Sequence, residues 1–227
     1  MVNWRVAAAQ YPIDRLADWH AYAAKVAQWV AQAAEGGAAL AVFPEYGAME
    51  LAALDPVTAS DPAGSLASVA ALEARVDTLH ARLARESGLH ILAASMPVRL
   101  AEGRFGNRAR LFAPSGRMGV QDKLVMTRFE REDWGVSGGS ALRAFDTALG
   151  RIGIATCYDS EFPLIARALA EAGCELLLVP SCTDTLQGYW RVRVGAQARA
   201  LEGQMVVVQA PTVGEAPWSA ALDINRG

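Results

Sequence analysis

Three polar residues stand where an apolar run gives way to a turn, and their types can do chemistry together. Cys157 lies in RIGIATCYDSEFPL, residues 151–164. Ile152, Ile154 and Ala155 read as a strand, Gly153 admits a close neighbour, and Asp159 or Ser160 can cap a following helix. A side chain at the carboxyl end of such a strand points into the crevice where open α/β sheets bind ligands, and the next backbone N–H groups face the same crevice. Glu45 follows the apolar run 38–43 behind Pro44, and an isolated acid is rarely buried there without a partner. Lys123 closes the second of two alternating runs, 107–113 and 117–122, paired around Pro114-Ser115-Gly116. Taken singly, each has an ordinary alternative: a buried structural cysteine, a loop acid that caps the next element, a solvated lysine.

Together they make a hydrolytic set. A thiol becomes a strong nucleophile once a base takes its proton or a cation steadies the thiolate. Glu45 can be that base, and Lys123 can hold an oxyanion together with the Tyr158 N–H. Glu45 would then protonate a leaving amine and activate water against a thioester on Cys157. Tyr46, Tyr158 and Phe162, beside these residues, are candidates to contact substrate. So are Ser181, Cys182 and Thr183, at another strand end; Cys182 also reads as a neutral wall and Cys174 as structural.

The elements that must position this set alternate. Strand 4–10 precedes a helix whose stripe is Leu16, Trp19, Tyr22, Val26, Trp29 and Ala33. Strand 38–43 precedes one long helix with the stripe Leu66, Val69, Leu72, Val76, Leu79 and Leu83, then a strand over 89–96 ended by Pro97. Residues 124–140 form a connection too long to be a simple loop, with Arg131 and Asp133 on a solvated rim. The second half repeats the pattern: strand 150–156, helix 162–172, strand 175–179 ended by Pro180, helix 190–201, strand 204–210 and a last strand 218–224. The pattern predicts a duplicated α/β unit, a single domain over 1–227, whose second half stops before the counterpart of the strand leading to Lys123.

Composition excludes several classes. The 227 residues carry a net charge of −3, 52% apolar and 20% charged residues, which reads as globular. No basic patch interleaved with aromatics points to nucleic acid, and no apolar run is long enough for a membrane. Three cysteines without paired spacing argue against a disulfide framework, and with no signal peptide evident at the N-terminus the expectation is a reduced, cytoplasmic protein.

At FPEYG around Glu45, DKLVMTRFE around Lys123 and CYDSEFP at Cys157, the chain resembles the nitrilase (carbon–nitrogen hydrolase) superfamily. Gln10, NRARLF and GYWRVRVGAQARALEGQ support the match, which runs over residues 6–213. The resemblance implies a four-layer α-β-β-α sandwich, no metal or other cofactor, and a Glu45–Lys123–Cys157 catalytic set. It implies a second glutamate near the lysine, Glu130 by position, with Glu132 the alternative. It also implies a homo-oligomer pairing helices 162–172 and 190–201. Tyr158 and Asp159 stand where true nitrilases carry Trp and Glu, which resembles the amidase and N-carbamoyl branches. No ring of arginines points to a carboxylated substrate. The family's final strand and tail are absent, so the chain is expected to be part of a longer product or of an oligomer that covers the open sheet edge.

The leading expectation is therefore a cysteine hydrolase of the C–N bond in a small amide or N-carbamoyl compound. Nitrile hydrolysis by the same set is an alternative. So is a Cys–His enzyme using His20, His80 or His90, although these read as helix and strand-start residues. A silent binding or scaffold homologue is the third.

Overall fold

The structure, a computed structural model, describes residues 4–227. Its first sheet runs in the order β1 (Arg5–Ala8), β3 (Ala38–Val42), β4 (His90–Arg99), β5 (Phe105–Phe112), β6 (Met118–Asp122). Its second runs β11 (Ile224–Asn225), β10 (Val206–Glu215), β9 (Leu176–Ser181), β8 (Gly150–Ile154), β7 (Ala144–Thr147), and β2 (Tyr11–Pro12) also pairs with β10. Strands β1, β3 and β4 are parallel, as are β8, β9 and β10. The antiparallel β5 and β6 complete the first sheet; the short β11 stands to β10 as β5 stands to β4.

Period-two alternation builds the layers. Leu40, Val42, Leu92, Ile152, Ile154, Leu176 and Leu178 point between the sheets and form one core cluster. Their neighbours Ala41, Ile91 and Ala93 face α1 (Trp19–Glu35), α3 (Pro62–Ala70) and α4 (Glu73–Ser87) in a second. Ala155, Leu177 and Val179 face α6 (Pro163–Glu171) and α7 (Leu186–Gly203) in a third. The result is the expected α-β-β-α order, with helices on both outer faces.

Several expectations fail locally. The stripe Leu66–Leu83 is two helices, because Leu72 N–H bonds back to Val69 O and the chain turns there. Thus α3 covers β4 and the 3-10 helix Gly47–Leu54, while α4 lies on α1; the short α2 (Pro56–Ala59) leads in. Pro97 does not end β4, nor Pro180 β9. Each lies beyond the last pairing of its neighbour on one side, Leu92 with β3 and Leu178 with β8, so its missing N–H costs no ladder bond. Residues 218–224 are not a strand. Ala216, Ala221 and Leu222 turn into the first core, and only Ile224 and Asn225 pair with β10. Two small residues of α7 pack inward: Ala196 is buried, and a Cβ on Gly195 would meet the Ser160 carbonyl at 3.3 Å.

Candidate active site

Glu45, Lys123 and Cys157 are each delivered by a strand end. Strand β3 stops at Val42, and Glu45 follows Pro44; Pro44 O accepts from Ser95 N–H at 3.0 Å, tying this corner to β4. Tyr46 then adopts φ +53° in the left-handed region. Strand β6 ends at Asp122, and Lys123 is gripped by its own peptide groups. Its N–H donates to Asn107 O at 2.9 Å, and its carbonyl accepts from Gly139 N–H at 2.8 Å. A side chain on Gly139 would strike Asp122 Cβ at 2.8 Å, so only glycine allows this approach. The long connection contains α5 (Arg128–Glu132), started by a capping box in which Thr127 and Glu130 bond reciprocally. Strand β8 ends at Ile154, and Cys157 opens a 3-10 helix, Cys157–Glu161, with φ +49°. A non-glycine residue held there costs on the order of 1–3 kcal/mol, a strain that aims the thiol into the crevice.

The four side chains meet. Lys123 Nζ donates to Glu45 Oε1 at 2.8 Å and to Glu130 Oε2 at 2.6 Å, and all three residues are buried. Asn107 Nδ2 also donates to Glu45 Oε1, at 2.9 Å, and is oriented by Ser95 Oγ at 2.6 Å. Glu130 receives the Tyr46 hydroxyl at 2.9 Å and both the N–H and hydroxyl of Thr127 at 2.9 Å. The Cys157 thiol lies within reach of the Cys182 carbonyl, at 3.6 Å, and of the Glu45 carboxylate. Glu132 lies outside, at the surface, paired with Arg128 and Arg131.

The two glutamates differ electrostatically although they share one lysine. Burial lifts Glu45 to about 7 against the pull of Lys123, with the Glu130 charge adding to the rise. Burial also works against the Glu130 carboxylate, but Lys123 and the Thr127 donors hold it below its ordinary value. The donor count explains the split: Glu130 takes four hydrogen bonds and stays ionised, whereas Glu45 is left to exchange a proton near neutrality. Burial pushes the Cys157 thiol well up, and the Glu45 charge adds to this. Burial opposes the Lys123 ammonium, yet the two glutamates raise it well above its usual value. The resting arrangement is a neutral thiol beside a carboxylate and a permanent cation.

A cleft of about 500 Å³ opens onto this set. Of the candidates, Tyr46, Tyr158, Cys182 and Thr183 line it, along with Phe129, Trp134 and the 220–224 segment. Phe162 and Ser181 do not. Phe162 packs edge-on against Tyr158, at 5.0 Å between rings, and Ser181 is buried, accepting from Gln209. Arg128 and Arg191 also line the cleft, but Glu132 and Glu161 engage them at 2.7 Å and 2.9 Å. No histidine lines it; His80 is buried against Phe43 and Phe112, and burial lowers it to about 4. A larger hollow of about 850 Å³, between the β5–β6 hairpin and β7, holds no cysteine or glutamate. Among the described residues no His, Cys, Asp and Glu group suits a metal ion.

Asp159 does not cap a helix. The cysteine turn is a 3-10 helix, α6 starts with Pro163, and the Asp159 carboxylate instead accepts the N–H groups of Leu124 and Val125. Ser95 carried no local signal, since its role comes only from the pairing of β4 with Asn107 on β5.

Comparison with known proteins identifies the family and the fold. The carbon-nitrogen hydrolase family matches residues 5–223. A probable hydrolase of Bacillus subtilis, YhcX, is 34% identical over 97% of this chain and 42% of its own. An omega-amidase of Xenopus laevis is 28% identical over 58% of this chain and 50% of its own. A deaminated glutathione amidase of Yersinia enterocolitica is 31% identical, again over 58% and 50%. The chain thus spans half or less of the length of these relatives. In fold it is similar to a carbon-nitrogen hydrolase from Helicobacter pylori G27, with TM-score 0.76, 18% identity and coverage of 96% and 75% of the two chains. It is also similar to an amidase from Nesterenkonia sp., with TM-score 0.71, 21% identity and coverage of 98% and 78%. The chain belongs to the carbon–nitrogen hydrolase family.

Proposed function

We propose that the protein is a cysteine-dependent amidase that cleaves the C–N bond of a small amide or N-carbamoyl compound through a thioester on Cys157. The observation that carries this is the buried contact of one lysine with two glutamates of opposite tendency, beside a neutral thiol at the foot of an open cleft. Ionised Glu45 takes the thiol proton as Sγ attacks the carbonyl carbon. The tetrahedral oxyanion lies between Lys123 Nζ and the Tyr158 N–H, which in the first turn of the 3-10 helix has no intrahelical partner. Collapse breaks the C–N bond, and Glu45 returns the proton to the leaving nitrogen. A water then enters, gives its proton to Glu45, and its oxygen attacks the thioester; the thiolate leaves and regains a proton. Glu130 stays ionised, steadies Lys123 and accepts from the substrate nitrogen. Both arginines of the cleft already hold carboxylates, which supports an uncharged acyl group.

The relatives named for amide hydrolysis support the same reading. Cys157→Ala should abolish turnover of small aliphatic amides and leave the thermal transition in place. Mass spectrometry of protein quenched with substrate should place an acyl adduct on the Cys157 peptide. Turnover in the Ala variant, or a nitrile turned over faster than every amide tested, would overturn the assignment.

A further inference from the structure

The turn carrying Cys157 follows β8 of the second sheet and the segment after Lys123 follows β6 of the first, yet the chemistry above needs their atoms in fixed register. Asp159, two residues beyond Cys157, is 1% exposed. Its Oδ1 accepts from Val125 N–H at 2.8 Å and from Leu124 N–H at 3.2 Å, and its Oδ2 accepts from Leu124 N–H at 3.1 Å. Leu124 and Val125 directly follow Lys123. The backbone of Asp159 is fixed in turn: its N–H donates to Thr156 O at 3.0 Å, and its carbonyl accepts from Phe162 N–H at 3.2 Å. The other bonds to the Lys123 peptide groups run to Asn107 and Gly139, which lie on β5 and on the long connection. Among the described residues, no hydrogen bond other than those of Asp159 joins residues 123–127 to residues 156–162.

Resting on the amidase reading, we propose that Asp159 is a positioning residue whose carboxylate clamps the Lys123 segment to the nucleophile turn, so that ammonium and thiol share one oxyanion site. It touches neither substrate nor reacting atoms. Both its partners are donors, so the clamp needs an acceptor-only group. An asparagine of the same size would keep one acceptor and turn an amino group against a backbone N–H. Burial lifts Asp159 to about 6; the charged group facing it is Lys123, which opposes the rise, as do the Val125, Leu124 and Thr156 backbone contacts. The clamp is therefore complete above about 6 and loosens as the carboxyl takes a proton below it.

The test is Asp159→Asn in the full-length protein, with its fold checked by thermal unfolding. Turnover should fall roughly 10- to 100-fold, with KM changed less than about threefold, because the loss is one of alignment. In the wild type, the acid limb of log kcat/KM should steepen from a slope of one toward two below about pH 6, as Asp159 titrates after Glu45; in the variant the slope should stay at one. Hydrogen exchange on the wild type needs no variant to fold. Protection of the Leu124 and Val125 amides should drop as pH falls through about 6, after correction for intrinsic exchange. A folded Asn variant with wild-type turnover, or protection that stays flat across that range, overturns the proposal. A wild type that hydrolyses no amide would sink the amidase reading instead, while the exchange measurement would still decide the clamp.

Discussion

Glu45 is the residue on which the proposed pH dependence turns. It must be ionised to accept the thiol proton, and burial lifts it to about 7. The rate should therefore level off above about 7 and fall about tenfold per pH unit just below it, before the Asp159 clamp adds to the fall under about 6. The Cys157 thiol, pushed well up by burial, stays neutral through this range and adds no limb of its own there. Glu45→Gln should lower kcat by roughly two to four orders of magnitude and remove the limb near 7. A Gln variant with near wild-type turnover at neutral pH would rule out the base. The second glutamate gives a paired contrast. Glu130 is buried with four donors, whereas Glu132 forms surface pairs with Arg128 and Arg131. Glu130→Gln should lower turnover by at least roughly tenfold, since it removes the charge that steadies Lys123. Glu132→Gln should change it less than about twofold, as exposed pairs contribute little. Equal effects of the two would refute the placement.

The elements explain how much of this the sequence reveals. Strand ends with Glu45, Lys123 and Cys157 are visible because apolar runs stop there at turn residues, and a period of two survives in one dimension. The break between α3 and α4 is not visible: the stripe Leu66–Leu83 fits one helix, and only the two surfaces it must cover bend it. Pro97 and Pro180 mislead for a related reason, since a proline's cost depends on whether a neighbouring strand is still paired there. The choice between Glu130 and Glu132 rests on the one-turn α5, whose capping box the spacing of Thr127 and Glu130 does encode. Asp159 has the composition of a cap and is used across the fold instead, a contact of 35 residues' separation with Leu124. Helix α7 has a comparable effect at long range. Gly195 lies against Ser160 O, on the turn that carries the thiol. Gly195→Val should push that turn away and reduce kcat by roughly tenfold or more, with a thermal transition lowered by only a few degrees. Unchanged kcat in a folded variant would show that the turn does not depend on α7.

The assembly is argued from the surface as a whole. Ala166 of α6 and Ala196 of α7 are buried within the chain and Gly195 lies against Ser160, so the expectation that small residues of these helices form the interface needs a further basis. Their outer faces supply one. Leu186, Trp190, Val194 and Leu201 follow one side of α7 and are 65%, 55%, 57% and 74% exposed, and Leu164 of α6, which packs on α7, is 77% exposed. Five large apolar side chains on adjacent helices form the kind of patch that soluble monomers rarely leave bare. We infer that two copies pair through α6 and α7. The same helix carries Gly188, Arg191 and Val192 into the cleft, so pairing would stiffen one wall of the site. The edge of the second sheet gives a weaker drive, because β2 and β11 together pair only with Thr212, Val213, Gly214 and Glu215 of β10. Trp190→Glu places a charge in the centre of the patch without touching the core. Sedimentation velocity should show a dimer for the wild type at micromolar concentration and a monomer for the variant, with KM or kcat shifted as the α7 wall loosens. A wild type that stays monomeric over a hundredfold concentration range would defeat the pairing. A variant that still dimerises would move the interface to the β10 edge, where protection of the outer β10 amides in hydrogen exchange would identify it.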